Sequence, residues 1–347
     1  MATKLENFNN ALNFIEPERV PFAIWNTGPF CTTICGADEK DYYLNAEFKL
    51  KIMLQVQDMF PDAILIPGPW PDFGTVLEAS VFGSEIVWNE NAPPDNKPVI
   101  HGYSDILKLG INIGDSLLPI ALRQYEYMWK HMDRRYIDEN GYLDGIGFSM
   151  GPLEVAAALM DFSQFLIGFY DEPELMHKLI DMTTEAVIHV LHEQQKINGP
   201  LKRLAMGDHL AHNLSSDMFM EFCFPYYKRV FDEFPGAIKI YHNEGNILHI
   251  AESIPDFGAN IVHYGVDTKK LKGILKGKVT IMGNLDPITV MCNGTPELVY
   301  KKAMECLMDG AEGGGMLLSS AGGMAPNTPA ENVRAALRAT EDFANSK

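Results

Sequence analysis

The fold this sequence predicts is α/β, a single (β/α)8 TIM barrel spanning residues 1–347. Short β-rich apolar runs alternate with helical patterns along most of the chain, as parallel strands joined by crossover helices do. Eight such runs can be counted. The residues that close them are polar or ionisable, which places a reactive rim where barrel enzymes carry their chemistry.

Taken in order, "MATKLENFNNALNF" alternates charged and apolar residues as an amphipathic helix does, and lacks the apolar core and small-residue cleavage site of a signal peptide. "VPFAIWN" (20–26) and "DAILIP" (62–67) are the first two strands. Residues 68–140 then break the rhythm: "EIVWNENAPPDNKPVIHGY" reads as a hairpin or irregular insertion, and "LLPIALRQYEYMWKHM" as a helix. Such an insertion suits a lid or a docking surface. "LDGIGFS" (143–149) and "RLAMGD" (203–208) follow as strands, and "LSSDMFMEF" opens a long amphipathic helix with Ser216 as its N-cap. "AIKIYH" (237–242), "ANIVHY" (259–264), "KVTIMGN" (278–284) and "GMLLSS" (315–320) complete the eight. Between the last two, "TPELVYKKAMECLMDG" starts at Thr295-Pro296 and stops at Gly310; "TPAENVRAALRATEDF" opens in the same manner. A doubly wound open sheet is the rival fold. It would place a G-x-G-x-x-G loop after its first strand, and "IWNTGPF" has none.

A chain with 46% hydrophobic and 21% charged residues has the composition of a globular enzyme. Its net charge of -18 repels phosphate backbones and anionic lipid, so neither nucleic acid nor a membrane surface is expected as a partner. No uncharged apolar run reaches 18 residues, which argues against a membrane span. The five cysteines are too few and scattered for a disulfide scaffold, and a cytoplasmic protein with reduced thiols is expected.

The strand ends hold Trp25-Asn26, Ser149-Met150-Gly151-Pro152, Asp208-His209, His242-Asn243-Glu244, His263-Tyr264, Asn284-Leu285-Asp286 and Ser319-Ser320-Ala321. On extended backbone His242 and Glu244 project to the same side, where an imidazole and a carboxylate can share one zinc ion. The plain structural alternative is a strand-end histidine hydrogen-bonded to a neighbouring loop. Asp208 also suits a turn, His263 a packed core position, and Glu221 a helix first turn that favours any carboxylate. Cys31 and Cys35 have neither thioredoxin nor zinc-knuckle spacing, so no function is assigned to them. Trp25, Phe30, Tyr42, Tyr43 and Trp70 suit either a pocket for a flat apolar ligand or the core.

"VTIMGNLDPITVMCNGTPELVYKKAMECL" and "GGGMLLSSAGGMAPNTPAENVRAAL" resemble the end of the uroporphyrinogen decarboxylase superfamily, and "GFSMGPLEVAAALMDF" and "MFMEFCFPYYKRVFDEF" resemble its middle. The resemblance implies a barrel of that type, shared by decarboxylases and cobalamin-dependent methyltransferases. The decarboxylases carry an early arginine-rich segment that grips substrate carboxylates; here the matching stretch, "VPFAIWNTGPF", has no arginine beyond Arg19 before it. The methyltransferases that alkylate thiols such as coenzyme M hold zinc with a His-x-Cys pair and a later cysteine. In this chain His242 matches the histidine, while Glu244 and Ala321 stand where the cysteines belong.

Oxygen and nitrogen ligands leave zinc a stronger Lewis acid than thiolates do, which suits polarising a methyl ether. The resemblance is therefore to the methyltransferase component of O-demethylases, which pass a methyl group to the cob(I)alamin of a separate corrinoid protein. It implies His242, Glu244 and Glu221 as Zn2+ ligands, with Asp208 the alternative to Glu244 as the partner carboxylate of Glu221, and with Asp208, His209 and His263 orienting or protonating the leaving oxygen. Trp25, Asn284 and Ser320 are then expected to contact a methoxylated aromatic substrate. Two alternatives stand beside this: methyl transfer from methylcobalamin to a thiol, and a metal-free, non-catalytic barrel subunit.

Overall fold

The computed structural model of the protein describes residues 2–90, 92–275 and 277–346. Each of the eight runs named above carries one strand: β1 (Phe22–Trp25), β2 (Ala63–Ile66), β3 (Ile146–Met150), β4 (Arg203–Gly207), β5 (Ile238–Asn243), β6 (Ile261–Tyr264), β7 (Thr280–Leu285) and β8 (Met316–Ser320). They lie in one sheet in the order β2-β1-β8-β7-β6-β5-β4-β3, with every ladder parallel. The first strand is hydrogen-bonded to the last, Phe22 opposite Leu318, so the sheet curls into a (β/α)8 barrel. Its strands are apolar on both faces because helices cover the outside and side chains fill the inside. β1, β2, β3, β6 and β8 are buried along their whole length.

One seam is closed by side chains. Among the described residues no ladder joins β2 to β3, so both edges would leave buried peptide groups unpaired, at about 1–3 kcal/mol each. In a strand, alternate residues direct their backbone groups to the same edge, and Ile146, Phe148 and Met150 do so here. The Ile146 carbonyl accepts from the Tyr125 hydroxyl at 2.6 Å and from Asn198 Nδ2 at 2.6 Å. Gln194, on the long helix Pro173–Asn198, donates to the Phe148 carbonyl at 2.7 Å and accepts from its N–H at 3.0 Å. Met150 N–H donates to Glu78 Oε1 at 3.2 Å, and the Ser149 hydroxyl donates to the same oxygen at 2.7 Å. Across the gap, Leu65 N–H donates to the Tyr142 hydroxyl at 2.8 Å.

Burial pushes the Glu78 carboxyl up to about 7, against the pull of the two donors from Ser149 and Met150. A carboxyl raised in the folded state binds a proton there that the unfolded chain has already released, so stability falls as pH rises from about 4.5 through about 7. Glu78→Gln keeps the accepting oxygen and removes the charge. In urea titrations the variant should gain about 3 kcal/mol on the parent between pH 4.5 and 8. A difference that does not change with pH would place the charge elsewhere.

The insertion contains the expected hairpin, Ile86–Val87 paired antiparallel with Asp95–Asn96, followed by helices Leu118–His131 and Arg134–Asn140. The N-terminal helix Lys4–Leu12 starts at a Thr3/Glu6 capping box. Its Ala11 carbonyl accepts from Gly315 N–H at 2.9 Å, just before β8, so this helix packs at the end of the barrel where the strands begin.

Three helix starts were read from the sequence, and two are corrected. The Thr295 hydroxyl caps Pro296–Gly310 as expected, accepting from Leu298 N–H at 3.3 Å. The cap before Met218 is Ser215, not Ser216, and the long amphipathic run breaks at Cys223 into Ser216–Phe222 and Phe224–Glu233. Pro225 explains the break, since it has no N–H to donate and its ring would strike the carbonyl one turn earlier. Thr328 caps nothing; its hydroxyl donates to the Ala325 carbonyl at 2.8 Å, and helix Ala330–Asn345 begins without a side-chain cap. No helix of the described residues is long and apolar enough to cross a membrane.

Candidate metal centre

Strand register assembles the rim. Gly207, His242 and His263 sit at one level on β4, β5 and β6. A Cβ on Gly207 would lie 3.1 Å from Met150 Sδ, and two residues further on the chain brings in His209. His209, His242 and Glu244 each offer a ligand atom, and the three atoms lie within 4.8 Å of one another. His242 Nε2 is 2.9 Å from Glu244 Oε2, and His209 Nε2 is 3.7 Å from the same oxygen. Close backbone approach holds the glutamate in place: a Cβ on Gly265 would lie 2.4 Å from the Glu244 carbonyl oxygen, so only glycine fits there.

A relay of hydrogen bonds orients His242. The Ser320 carbonyl can only accept, so His263 Nε2, 2.8 Å away, carries a proton. Burial, with the neighbouring His242 adding to it, drives the His263 pKa down to about 3, so its Nδ1 is a bare acceptor. His242 Nδ1, 2.7 Å from that atom, must donate to it. Burial also lowers the His242 pKa, against the opposing pull of Glu244, and a neutral His242 then turns an unprotonated Nε2 toward a carboxylate oxygen. Glu244 is ionised whenever a proton is shared with His242: burial works against its charge, but that hydrogen bond and the positive charge on the His242 and His209 side outweigh it and hold its pKa down to about 2. Two lone pairs facing each other at 2.9 Å repel unless a cation or proton lies between them. The donor set of two imidazoles and a carboxylate, with one side open, fits zinc.

His209 is held by a residue that sequence reasoning missed. Glu154, in the first turn of helix Pro152–Ala158, accepts from His209 N–H at 3.0 Å and faces its Nδ1 at 3.2 Å. Burial opposes a charge on this imidazole, but Glu154 and then Glu244 overcome it and raise its pKa to about 9. That negative field is the one a dication would meet. The only sequence signal for Glu154 was a carboxylate just beyond a strand end, where the helix dipole already accounts for it. Replacing Glu154 with alanine frees His209 to rotate, and zinc affinity measured by chelator competition should fall about 10–100-fold. Unchanged affinity would show that Glu154 does not orient this imidazole.

The other expected site residues are distributed differently. Trp25 stacks on His242 with ring centroids 4.3 Å apart. Together with Trp70, Phe148, Met150 and Tyr43 it walls a cleft of about 960 Å³ that opens over His209, His242 and Glu244, and Ala92 and Pro93 of the insertion add to its rim. His263 is fully buried behind His242 and does not line the cleft. Asp208 is buried too: it accepts from Leu210 N–H at 2.9 Å, Ala211 N–H at 3.1 Å and the Tyr241 hydroxyl at 2.7 Å, which makes it a loop anchor rather than a proton donor to a ligand. Ser320 donates its hydroxyl to the Gly322 carbonyl at 2.6 Å and serves the relay through its own carbonyl. Asn284 is turned to the Val266 carbonyl and the Cys306 thiol, away from the cleft. Glu221 is not brought to His209, His242 and Glu244; it lies on a helix surface, 3.5 Å from His177 Nε2.

Comparison with known proteins agrees with this architecture. A sequence profile described as uroporphyrinogen decarboxylase (URO-D) matches residues 3–343. Among individual proteins, the chain is 25% identical over 311 residues to a methylated-thiol--coenzyme M methyltransferase of Methanosarcina mazei, covering 89% of this chain and 80% of that protein. It is also 25% identical over 317 residues to a uroporphyrinogen decarboxylase of Pseudomonas fluorescens, covering 86% of this chain and 84% of the relative. The solved structure of a methyltransferase from Methanosarcina mazei superposes with a TM-score of 0.81 at 20% identity, over 99% of both chains, and so shares the fold. With a matching profile along nearly its whole length, the chain belongs to the uroporphyrinogen decarboxylase (URO-D) family.

Proposed function

We propose that the protein is a zinc-dependent methyltransferase that removes the methyl group of a methoxylated aromatic substrate and delivers it to the cob(I)alamin of a corrinoid protein. The observation that carries this reading is the convergence of His209, His242 and Glu244, without a cysteine, at an aromatic-walled cleft. Zinc held there would supply Lewis-acid polarisation of the ether oxygen. The chain's own residues do the rest. Trp25, Phe148 and Trp70 offer ring faces against which a flat substrate stacks. The Ser320–His263–His242 relay and the Glu154–His209 pair keep both imidazoles in the tautomer that presents Nε2 to the cleft. The open mouth leaves room for a corrin face to approach the methyl carbon in line.

The Methanosarcina relative's name supports a second reading, transfer of a methyl group to or from a thiol. The two are separated by metal analysis followed by incubation with reduced corrinoid protein and a set of methoxylated aromatics. About one zinc per chain and a phenol product that appears with methylated cobalamin support the proposal. Thiol-dependent loss of methylcobalamin absorbance without phenol points to the second reading, and protein purified without zinc to a metal-free barrel.

A further inference from the structure

The walls of the cleft also bear on the charge of what enters it. Among its described lining residues there is no lysine or arginine, while Asp38, Glu39 and Asp72 line it away from the metal group. The aromatic run from His242 through Trp25 and Phe148 to Trp70 leads away from the metal group, with Trp25 and Phe148 centroids 6.1 Å apart and Phe148 and Trp70 4.3 Å apart. Two residues beyond Trp70 lies Asp72, which is buried and accepts from Gly74 N–H at 2.7 Å and the Tyr42 hydroxyl at 3.1 Å. Glu39 lies close to it, and Glu39 Oε1 is buried without a hydrogen-bond partner. The indole N–H of Trp70, a side chain only 9% exposed, is also without one. Lys49 stands behind this pair and is not among the residues lining the cleft: its charge offsets part of that of Asp72, but its Nζ donates to the Asp72 backbone carbonyl at 2.5 Å and to Gln124 Oε1 at 2.7 Å, over the Phe73 ring, and leaves Glu39 Oε1 without a donor.

We infer that the methyl donor carries a positively charged, ammonium-type group, which seats beyond Trp70 against Asp72 and Glu39. The inference rests on the cleft being the donor's site. Aromatic faces and carboxylates together favour a desolvated cation through cation–π attraction and charge-assisted hydrogen bonds. A carboxylate or sulfonate would surrender its hydration to a wall of like charge. Burial raises both the Glu39 and the Asp72 carboxyl above the usual range; at Asp72 the charge of Lys49 offsets part of this, while at Glu39 the charge of Asp72 adds to it, and a bound cation relieves it.

The test is calorimetric binding of three near-isosteric probes, 4-methoxybenzylamine, 4-methoxybenzyl alcohol and 4-methoxybenzoate, to the full-length protein loaded with zinc. The amine should bind about tenfold or more tightly than the alcohol, with the carboxylate weakest. Glu39→Gln and Asp72→Asn should each lower the amine's affinity by about fivefold or more, and the alcohol's by less than about twofold. An amine no tighter than the alcohol, a carboxylate that matches it, variants that keep the preference, or no binding of any probe would overturn the inference. Selective amine binding with no phenol formed would instead defeat the proposed reaction and leave the binding preference standing.

Discussion

Replacing His242 with alanine should strip the protein of zinc and lower phenol formation by about 10³-fold or more. Of the three proposed ligands His242 has the least freedom: Trp25 lies flat against one side of it, His263 fixes its Nδ1, and its Nε2 faces Glu244. Removing it leaves one imidazole and one carboxylate, too few to retain zinc against a chelator. The substitution also leaves His263 Nδ1 unpaired in the interior, at about 1–3 kcal/mol, which a domain of this size tolerates. Elemental analysis and turnover of the folded variant decide the matter, with circular dichroism confirming the fold. A variant that keeps both metal and rate would move the centre away from these residues.

Lys49→Met should be the most destabilising of the substitutions considered, by about 3–5 kcal/mol. Lys49 is fully buried on helix Ala46–Met59 and joins two parts of the structure: the Asp72 backbone, and Gln124 on helix Leu118–His131, whose Nε2 donates to the Tyr43 carbonyl at 3.0 Å. Methionine matches its length and removes its charge. The Asp72 carbonyl and Gln124 Oε1 then lose a donor, and the Asp72 carboxylate loses the cation that offsets it. Because burial pulls the Lys49 pKa down to about 7, against the pull of Asp72 and below its value in the unfolded chain, the parent gains stability as pH rises through about 7, and the loss in urea titrations should be larger at pH 8 than at pH 6. A loss below about 1 kcal/mol would mean that the network is satisfied without that charge.

The barrel was legible because its determinants are local in the chain. A parallel strand must be apolar on both faces, and that shows as a short continuous run wherever it occurs; each of the eight runs became a strand. His242 and Glu244 were legible for a related reason, since alternation on extended backbone puts both on one side whatever surrounds them. Glu221 failed as an expected ligand because nothing in its spacing says where its helix sits relative to the rim, and the break at Pro225 was lost to the stronger hydrophobic periodicity around it. Glu154 was invisible because its partner, His209, lies 55 positions away in sequence. The seam between β2 and β3 could not be read either, because the groups that close it come from Glu78, Tyr125, Tyr142, Gln194 and Asn198, on segments spread across the chain.

By itself, then, the sequence determined the strands, their rim and the pairing of His242 with Glu244, since each follows from the period of an extended backbone. Only the tertiary structure decided that His209 completes the group, that His263 and Ser320 stand behind it rather than in the cleft, and that the cleft wall is acidic. Those outcomes depend on strand register and helix placement, and it is long-range packing that sets both.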